Sequence, residues 1–412
     1  MSTRMAAVDA QFYWMSAKIP NDQFLLYAFD GQPADIERLA DELRRRAQVC
    51  PALTIRVKDG SALTYPQWVP MAVEPAHTHC HQLHDNTWRG CLDAVVRLAE
   101  KQLDARRTPW RLHLFAPVHD IPGGTGPGAV AVLQVAHALA DGARTAALAG
   151  WLFGRDAAVP DVAAPSPGFL PWRALVAART HRQLARDRQA GLVEQPVGSR
   201  PVLSTNARPA GSRAVRTLVR DRFQLPGPTV TVAVLAAVSV ALSEHLGAAV
   251  DVLGAEVPMA KPGARHAHNH FRNVSVGLYP GLPREDRAQR IVAELTAARR
   301  RAEHPAARAA DRAFAAVPAP LLRWGVAQFD ADARPAEVSG NTVVSSVYRG
   351  HADLRLGGAP VLLTAGYPAL SPAMGLTHGV HGIGDTIAIS VHAAESAIGD
   401  IDAYLQRLDA AL

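Results

Sequence analysis

Apolar residues recur along this chain in two spacings, one typical of strands and one typical of helices. In the first part of the chain, unbroken or alternating apolar runs predict strands at residues 24–29, 53–57, 110–115 and 129–135. Apolar positions three and four residues apart predict amphipathic helices at residues 35–47, 88–102 and 144–152. The two kinds of element alternate without a fixed period, which favours a mixed α/β fold over a repeat protein.

The second half repeats this mixture after a segment of different composition. Between residues 160 and 209, prolines and arginines concentrate around a helical stretch, which is typical of a linker or crossover. Beyond it, helices are predicted at residues 230–246, 285–303 and 401–412, and strands around residues 250–257, 342–347 and 386–392. We therefore expect two α/β lobes of similar size, residues 1–160 and 213–412, joined by residues 161–212.

The composition agrees with a globular protein of this kind. The chain has 412 residues, of which 48% are hydrophobic and 19% charged, so it can build a core and is neither disordered nor fibrous. At roughly 100–200 residues per domain, this length fits two domains. Three cysteines, Cys50, Cys80 and Cys91, are too few for a disulfide framework and predict a reducing, cytoplasmic location. The N-terminus lacks the uninterrupted apolar core of a signal peptide.

The net charge of +6 does not predict a nucleic-acid partner. Only four of the 43 basic residues are lysines, and the arginines are spread along the chain without a basic stripe between aromatic residues. The arginine run at residues 173–188 is typical of a solvated helix face, and peripheral contact with an anionic membrane is the alternative. The longest apolar stretch, residues 230–242, is shorter than the roughly 20 residues of a membrane-spanning helix, which favours a buried core helix.

One short segment carries the pattern of a catalytic site. His137 follows the strand predicted at residues 129–135, and Asp141 and Gly142 come shortly afterwards, before a helix. A histidine at the exit of a rigid strand can meet a substrate, and its neutral imidazole can take a proton from a hydroxyl or an amine. Asp141 can cap the helix or pair with a buried arginine, and Gly142 allows a bend that a side chain would not tolerate. A strand-end histidine followed by a helix cap is the plain structural alternative.

Signatures of other chemistries are absent or weak. The chain contains no G-x-S-x-G elbow and no Walker loop, and the glycine-rich residues 123–128 precede a strand, as a hairpin loop does. Two histidine triplets, at residues 77–81 and 266–270, have the alternate spacing that places ligands on one side of a strand. Such spacing without a matched second cluster is weak support for a metal, so we expect no metal site.

Further segments resemble a known family in their order and spacing. They are a D-x-x-F start at residues 9–12, a P-x-x-R-x-R-like strand at residues 51–57, an L-D-x-x-x-P-L-W-like element at residues 103–110, an N…R segment at residues 205–213, a V-P…G-N-like segment at residues 257–275, an S-N-V-like strand at residues 341–347 and a loop at residues 357–360. With the His-x-x-x-Asp-Gly pattern, the chain resembles the bacterial wax ester synthase/diacylglycerol acyltransferase family of the coenzyme A-dependent acyltransferases. The resemblance runs nearly end to end.

The resemblance implies a fold and an activity. The fold would be two chloramphenicol-acetyltransferase-like lobes in a V shape with a central tunnel. The activity would be transfer of an acyl group from an acyl-CoA thioester to an alcohol or amine acceptor, with no cofactor beyond the thioester. His137 would be the general base, and Asp141 would be structural, in a salt bridge with Arg56.

The same resemblance implies roles for residues from both lobes. Gly142 would leave room for the thioester. Asn273, Ser345 and Ser346, from the second lobe, would line the acceptor side or steady the oxyanion.

The chain also departs from the family pattern. Ala136 occupies the position of the first motif histidine, Ser346 replaces the asparagine of S-N-V, and no leucine separates Pro109 from Trp110. These departures affect the expected substrate more than the expected fold. Two alternatives therefore stay open: a condensation-type enzyme with a carrier-protein thioester as donor, and a non-catalytic acyl-binding relative.

Overall fold

The structure is a computed structural model that describes residues 2–165, 168–247 and 252–412. The helices of these residues are α1 (Ala7–Met15), α2 (Ile36–Gln48), α3 (Trp88–Ala99), α4 (Gly142–Leu152), α5 (Leu170–Gln189), α6 (Val230–Leu246), α7 (Arg284–Glu303), α8 (Pro305–Ala315), α9 (Ala319–Ala327) and α10 (Ile401–Ala411). The strands are β1 (Thr3–Arg4), β2 (Gln23–Phe29), β3 (Ile55–Lys58), β4 (Gln67–Pro70), β5 (Thr78–His81), β6 (Trp110–Val118), β7 (Gly128–Val135), β8 (Arg200–Pro201), β9 (Arg213–Asp221), β10 (Gly254–Ala260), β11 (Phe271–Gly277), β12 (Glu337–Val338), β13 (Thr342–Tyr348), β14 (Arg355–Leu356), β15 (Ala359–Gly366), β16 (Leu376–Ile383) and β17 (Thr386–Ala394).

The first lobe is built on a six-stranded sheet in the order β14-β15-β2-β7-β6-β5. Strands β2 and β7 pair antiparallel at its centre, with Leu25 opposite Leu133. Every residue of β7 is buried, as its apolar run predicts, because both faces of the sheet are covered. Leu25 and Tyr27 pack with α1, α2 and α4 on one face, whereas Phe24 and Leu26 face α3 and the second lobe.

The second lobe is built on another six-stranded sheet, in the order β11-β10-β13-β16-β17-β9. On one of its faces, Val344, Val380 and Ile389 form a core with α6, α7 and α10. Helix α6 is buried in this core, which confirms the prediction made for its apolar run. Since side chains alternate along a strand, Ser345 and Val347 lie on the opposite face, which is turned toward the first lobe.

Part of the second half of the chain belongs to the sheet of the first lobe. Strands β14 and β15 come from the second half of the sequence, yet β15 pairs antiparallel with β2 in the first sheet. Without β15, strand β2 would present unpaired backbone groups at the edge of that sheet. The predicted division into residues 1–160 and 213–412 therefore does not hold for residues 355–366, which belong structurally to the first lobe.

The predicted linker contains ordered structure. Residues 161–212 include α5, which packs along α8 of the second half. At their contact, Arg173 donates a hydrogen bond to the carbonyl oxygen of Arg312 at 3.0 Å. The segment therefore joins the lobes as a packed helix followed by a short strand, β8.

The predicted elements all occur, with shifted ends. Helix α3 ends at Ala99, a few residues before the predicted end, and β3 begins at Ile55, two residues after the predicted start. Residues 250–251 of the strand predicted at 250–257 lie outside the described residues, and β10 begins at Gly254. Within the described part of the chain, no helix is both long enough and apolar enough to cross a membrane.

The lobes approach most closely where β15 crosses β16. A Cβ atom added to Gly379 of β16 would overlap the carbonyl oxygen of Gly366 in β15. Only a residue without a side chain allows this backbone contact, so the crossing depends on glycine at position 379.

We predict that Gly379→Ala destabilises the protein by about 1–3 kcal/mol, because the methyl group must displace backbone. The measurement is the free energy of unfolding from denaturant titration. Gly60→Ala is the matched control, since a Cβ at Gly60 meets no atom within 4 Å. Equal stability of the two variants would contradict the close crossing.

Candidate active site

His137 lies in the turn that follows β7, at the meeting of the two lobes. Its imidazole stacks on the ring of Phe12 from α1, with ring centroids 4.0 Å apart and planes 10° apart. Phe271, the first residue of β11 in the second lobe, lies with its ring centroid 5.7 Å from that of His137. The centroids of Phe12 and Phe271 are themselves 6.0 Å apart, so the three rings form one aromatic cluster with members from both lobes.

Gln23 positions the other side of the imidazole. Its Nε2 lies 3.2 Å from Nδ1 of His137 and donates to the carbonyl oxygen of Ala140 at 2.7 Å. Its Oε1 lies 3.1 Å from Oγ1 of Thr145. Among the described residues, none forms a hydrogen bond with Nε2 of His137. That nitrogen is therefore the one free to meet a substrate.

The pKa of His137 supports a neutral imidazole. Burial lowers this pKa below its ordinary value of 6.5, and hydrogen bonds with its own backbone and with Asn269, together with the charge of Asp141, oppose the shift. A lowered pKa leaves the ring unprotonated at neutral pH, which is the form that accepts a proton.

Asp141 caps α4 and is paired with an arginine, but not with the predicted one. Its Oδ1 accepts from the backbone N–H of Arg144 at 2.9 Å. The guanidinium of Arg265 contacts both carboxylate oxygens, at 2.8 and 3.3 Å. The predicted pairing of Arg56 with Asp141 is wrong, because Arg56 alternates with the buried Val57 on β3 and is exposed. Arg56 donates instead to the carbonyl oxygen of Arg106 at 3.0 Å.

Arg265 belongs to a loop of the second lobe that forms several hydrogen bonds with the turn containing His137. We name residues 265–270, between β10 and β11, the clamp loop. The clamp loop also contacts Asp141 through the backbone N–H of His270, which donates to Oδ2 at 2.8 Å. His268 Nδ1 lies 2.8 Å from the carbonyl oxygen of Leu139. Asn269 Nδ2 donates to the carbonyl oxygen of His137 at 2.8 Å.

Asp9 of α1 also binds the clamp loop through hydrogen bonds. Its carboxylate accepts the backbone N–H groups of His268 and Asn269 and the side-chain N–H of Asn269, each at 2.9 Å. Asp9 is almost fully buried, and this burial raises its pKa from 3.8 to about 7, against the effect of these hydrogen bonds. The first lobe therefore holds the clamp loop with two carboxylates, Asp9 and Asp141.

Gly142 does not have the predicted backbone role. It is the first residue of α4, its φ is not in the left-handed region, and a Cβ there would lie 3.5 Å from Cγ2 of Val347, an ordinary contact. Neither strain nor a clash within the protein requires glycine at this position. The short distance to Val347 shows that α4 and β13 lie close together where the lobes face each other.

The predicted residues of the second lobe do not form one cluster. Asn273 is exposed, and its Nδ2 donates to Glu256 at 3.2 Å. Ser346 shares its face of β13 with the buried Val344, and its hydroxyl lies 2.8 Å from that of Thr231 in α6, so its predicted place on the interlobe side is wrong. Ser345 lies on the face turned toward the first lobe, where its predicted contact with substrate stays a prediction.

The histidine triplets do not converge on one site. His77 is buried against Trp110, whereas His79 is exposed, and His268 is buried whereas His266 is exposed. Within residues 2–165, 168–247 and 252–412, no group of three or more His, Cys, Asp or Glu side chains is arranged to hold a metal ion.

Comparison with known proteins relates part of the chain to a family. Residues 274–412 match the family model of the WS/DGAT C-terminal domain. The family resemblance inferred from the sequence is thereby confirmed, although the match covers about a third of the chain. No curated protein matches the chain in sequence.

Solved structures extend the likeness to the whole chain. The wax ester synthase/diacylglycerol acyltransferase from Marinobacter aquaeolei VT8 is 19% identical, covers 99% of this chain and 98% of its own, and has a TM-score of 0.65. A variant of the starter condensation domain of rhizomide synthetase, in complex with C8-CoA and Leu-SNAC, is 13% identical over 99% of this chain and 92% of its own, with a TM-score of 0.61. At such identities the likeness shows the fold, and it confirms the predicted two-lobed α/β class.

Several residues around His137 were not predicted as site residues, although some of them lie in segments that the sequence analysis had singled out. Asp9 and Phe12 are the two fixed positions of the D-x-x-F start, and they anchor the clamp loop and stack on His137. Gln23 and Arg265 carried no such signal. Positions 23 and 265 are far from residues 137–141 in the sequence. They come next to them only when the two sheets assemble.

We predict that Arg265→Met lowers the free energy of unfolding by about 3 kcal/mol, because it leaves Asp141 buried without its cation. Arg56→Met should change that free energy by less than about 0.5 kcal/mol, since Arg56 is exposed. Denaturant titration of both variants is the measurement. The reverse order of the two effects would restore the pairing predicted from the sequence.

Asp9 predicts a pH dependence of stability. Between about pH 4 and 7 the folded protein keeps a proton on Asp9 that the unfolded chain has lost, so stability falls as pH rises through this range. Asp9→Asn cannot titrate. The free energy of unfolding of the natural protein, minus that of the variant, should therefore fall by at least about 1 kcal/mol from pH 4 to 7. The exposed Asp286, changed to Asn, should show no such fall.

Proposed function

We propose that this protein is an acyltransferase that moves an acyl group from an acyl-CoA thioester to an alcohol, with His137 as the general base. The observation that carries the proposal is the state of the His137 ring. The ring is fixed by Phe12, Phe271 and Gln23, while its Nε2 has no hydrogen-bond partner among the described residues. An imidazole fixed on one side and free on the other is the arrangement that general-base catalysis needs.

The surroundings of His137 suit a reaction between two substrates. We propose that the donor and the acceptor meet at Nε2 of His137, where the two lobes face each other. Holding both reactants in one cleft removes much of the entropic cost of their encounter. The clamp loop contributes by fixing residues 137–141 relative to the second lobe.

The proposed reaction is balanced without an added cofactor. The proposed step needs the ring proton on Nδ1, so the Gln23 amide, whose Nε2 lies 3.2 Å from Nδ1, must turn to offer its Oε1 as the acceptor. His137 Nε2 then takes the proton of the acceptor hydroxyl as its oxygen attacks the thioester carbonyl carbon. The tetrahedral intermediate then collapses, the C–S bond breaks, and the thiolate takes the proton from the imidazolium. The products are an ester and free coenzyme A. General-base catalysis of this kind contributes about 10²–10⁴-fold in rate.

The comparisons support the substrate class. The Marinobacter protein is a wax ester synthase/diacylglycerol acyltransferase, and the variant rhizomide synthetase domain binds C8-CoA. On this basis we take an acyl-CoA as the donor and an alcohol as the acceptor, with an amine acceptor or a carrier-bound donor as the condensation-type alternative.

Ala136 cannot share the proposed proton transfer with His137. Its side chain is buried, and its backbone N–H donates to the carbonyl oxygen of Pro109 at 2.9 Å. A methyl group there can neither accept nor donate a proton. The departure from the two-histidine pattern therefore leaves a single candidate base and also motivates the non-catalytic alternative.

We expect His137→Ala to lower kcat/KM for acyl transfer by about 10²–10⁴-fold without changing the fold. The assay follows release of free thiol from short- and long-chain acyl-CoA with a panel of alcohols and amines. His84→Ala is the control, because His84 is exposed, lies outside the clamp loop and should leave the rate unchanged. Undiminished turnover in His137→Ala would exclude its role as base.

The same assay separates the alternatives. Turnover with a carrier-bound thioester but not with acyl-CoA would support the condensation-type enzyme. Turnover with amines but not with alcohols would correct the acceptor class. Binding of acyl-CoA without turnover of any acceptor would support the acyl-binding relative.

A further inference from the structure

Helix α5 turns one face toward the rest of the protein, and three of its residues identify that face. Near the start of the helix, Arg173 donates to the carbonyl oxygen of Arg312 in α8 at 3.0 Å. Near its end, Oδ2 of Asp187 lies 3.1 Å from Nε2 of His304. Leu184, one turn before Asp187, is buried. Since these residues are separated by nearly whole turns of 3.6 residues, they share one face, which is turned inward.

Another side of α5 is turned outward and combines apolar with basic residues. Five exposed residues, which we name the outward row, follow one another there in steps of three and four: Trp172, Leu175, Arg179, Arg182 and Arg186. Trp172 is 60% exposed and Leu175 is 40% exposed. Phe169, which directly precedes the helix, is 72% exposed. The row therefore has an apolar end and a basic end.

The outward row differs from an ordinary solvated helix face. Such a face carries polar residues, whereas the row begins with a tryptophan and a leucine, whose burial would be favourable. Its positive charge is not balanced within the helix, because α5 contains five arginines and its one acidic residue, Asp187, faces α8. The row therefore suits a partner surface that is both apolar and anionic.

An anionic lipid bilayer has these two properties together. Its headgroups attract arginine, and the boundary between headgroups and acyl chains is where tryptophan concentrates. With five arginines, α5 is too polar to span a bilayer, but it lies along α8 and can rest in the plane of a membrane surface. A second copy of this chain is a poorer partner, because two positively charged rows would repel each other.

We propose that the outward row of α5 docks the protein on the surface of an anionic lipid bilayer. Trp172 and Leu175 enter the boundary between headgroups and acyl chains, and the three arginines contact the headgroups. The proposal concerns binding and does not depend on the proposed acyl transfer.

The test is co-sedimentation of the full chain with vesicles of phosphatidylcholine that contain about one third phosphatidylserine. Each arginine near such a surface contributes about five-fold in affinity. The triple variant Arg179→Gln, Arg182→Gln, Arg186→Gln should therefore bind on the order of 100-fold more weakly. Vesicles of phosphatidylcholine alone should bind the natural protein as weakly. Equal binding to the two kinds of vesicle would overturn the proposal.

A matched triple variant separates the row from the net charge of the protein. Arg38→Gln, Arg45→Gln, Arg97→Gln removes three exposed arginines from α2 and α3, so the two triple variants have the same net charge. The matched variant should bind within about three-fold of the natural protein, because these arginines lie outside α5. Equal losses in the two triple variants would overturn the proposal, since net charge alone would then explain binding.

Trp172 tests the apolar end of the row. Trp172→Ala should weaken vesicle binding about five-fold or more, because binding scales with the apolar area that enters the bilayer. Phe223→Ala is the control, since Phe223 is 81% exposed but lies in the second lobe, between β9 and α6. Circular dichroism establishes that each variant is folded. Equal binding of the Trp172→Ala and Phe223→Ala variants would contradict the role of Trp172.

Fluorescence tests the orientation of the bound protein. Brominated phosphatidylcholine quenches tryptophans that reach the acyl chains, so the natural protein should be quenched on brominated anionic vesicles. Trp172→Phe keeps an aromatic ring at this position and should keep binding, but it should lose most of the quenching. Full quenching in this variant would mean that another surface faces the bilayer, and would overturn the proposal.

A different occupant of the row would also be detected. A dimer in analytical ultracentrifugation that Trp172→Ala dissociates would assign the row to a second copy of the chain and overturn the proposal. Absence of acyl transfer would leave the proposal standing, because every readout here is binding.

Discussion

The ion pair between Asp141 and Arg265 is the contact on which the arrangement of the site depends. It joins the turn that carries His137 to a loop of the other lobe, and both of its partners are largely buried. A buried carboxylate is stable only with its cation in place. The orientation of the two lobes and the position of the turn are therefore linked. A movement of one lobe relative to the other would also move the turn that carries His137.

Asp9 shows the cost of this linkage. Its three hydrogen bonds to the clamp loop hold a carboxyl group in an almost fully buried position, and burial raises its pKa to about 7. Ionising this group in place is costly, and the protein accepts that loss of stability to hold the clamp loop against residues 137–141. A strained or costly group beside a reactive one is common where position matters more than stability.

Features that depend on neighbouring residues could be predicted from the sequence. Contacts between residues far apart in the chain could not. Periodicity located the helices and strands, and the motif around His137 located the site, because both are carried by neighbouring residues. The partner of Asp141 was assigned to Arg56, whereas it is Arg265, on a loop of the other lobe. Ser345 and Ser346 were treated alike, although adjacent residues of a strand face opposite sides. Register and pairing between lobes decide such questions, and one sequence does not contain them.

The insertion of β15 beside β2 has a consequence for how the chain matures on the ribosome. Strand β2 ends at Phe29, but the strand that completes its pairing begins only at Ala359. The first sheet therefore keeps an open edge while the residues between these two strands are translated, and an open edge invites pairing with other chains. Slow or truncated synthesis should thus produce aggregation instead of a folded first lobe.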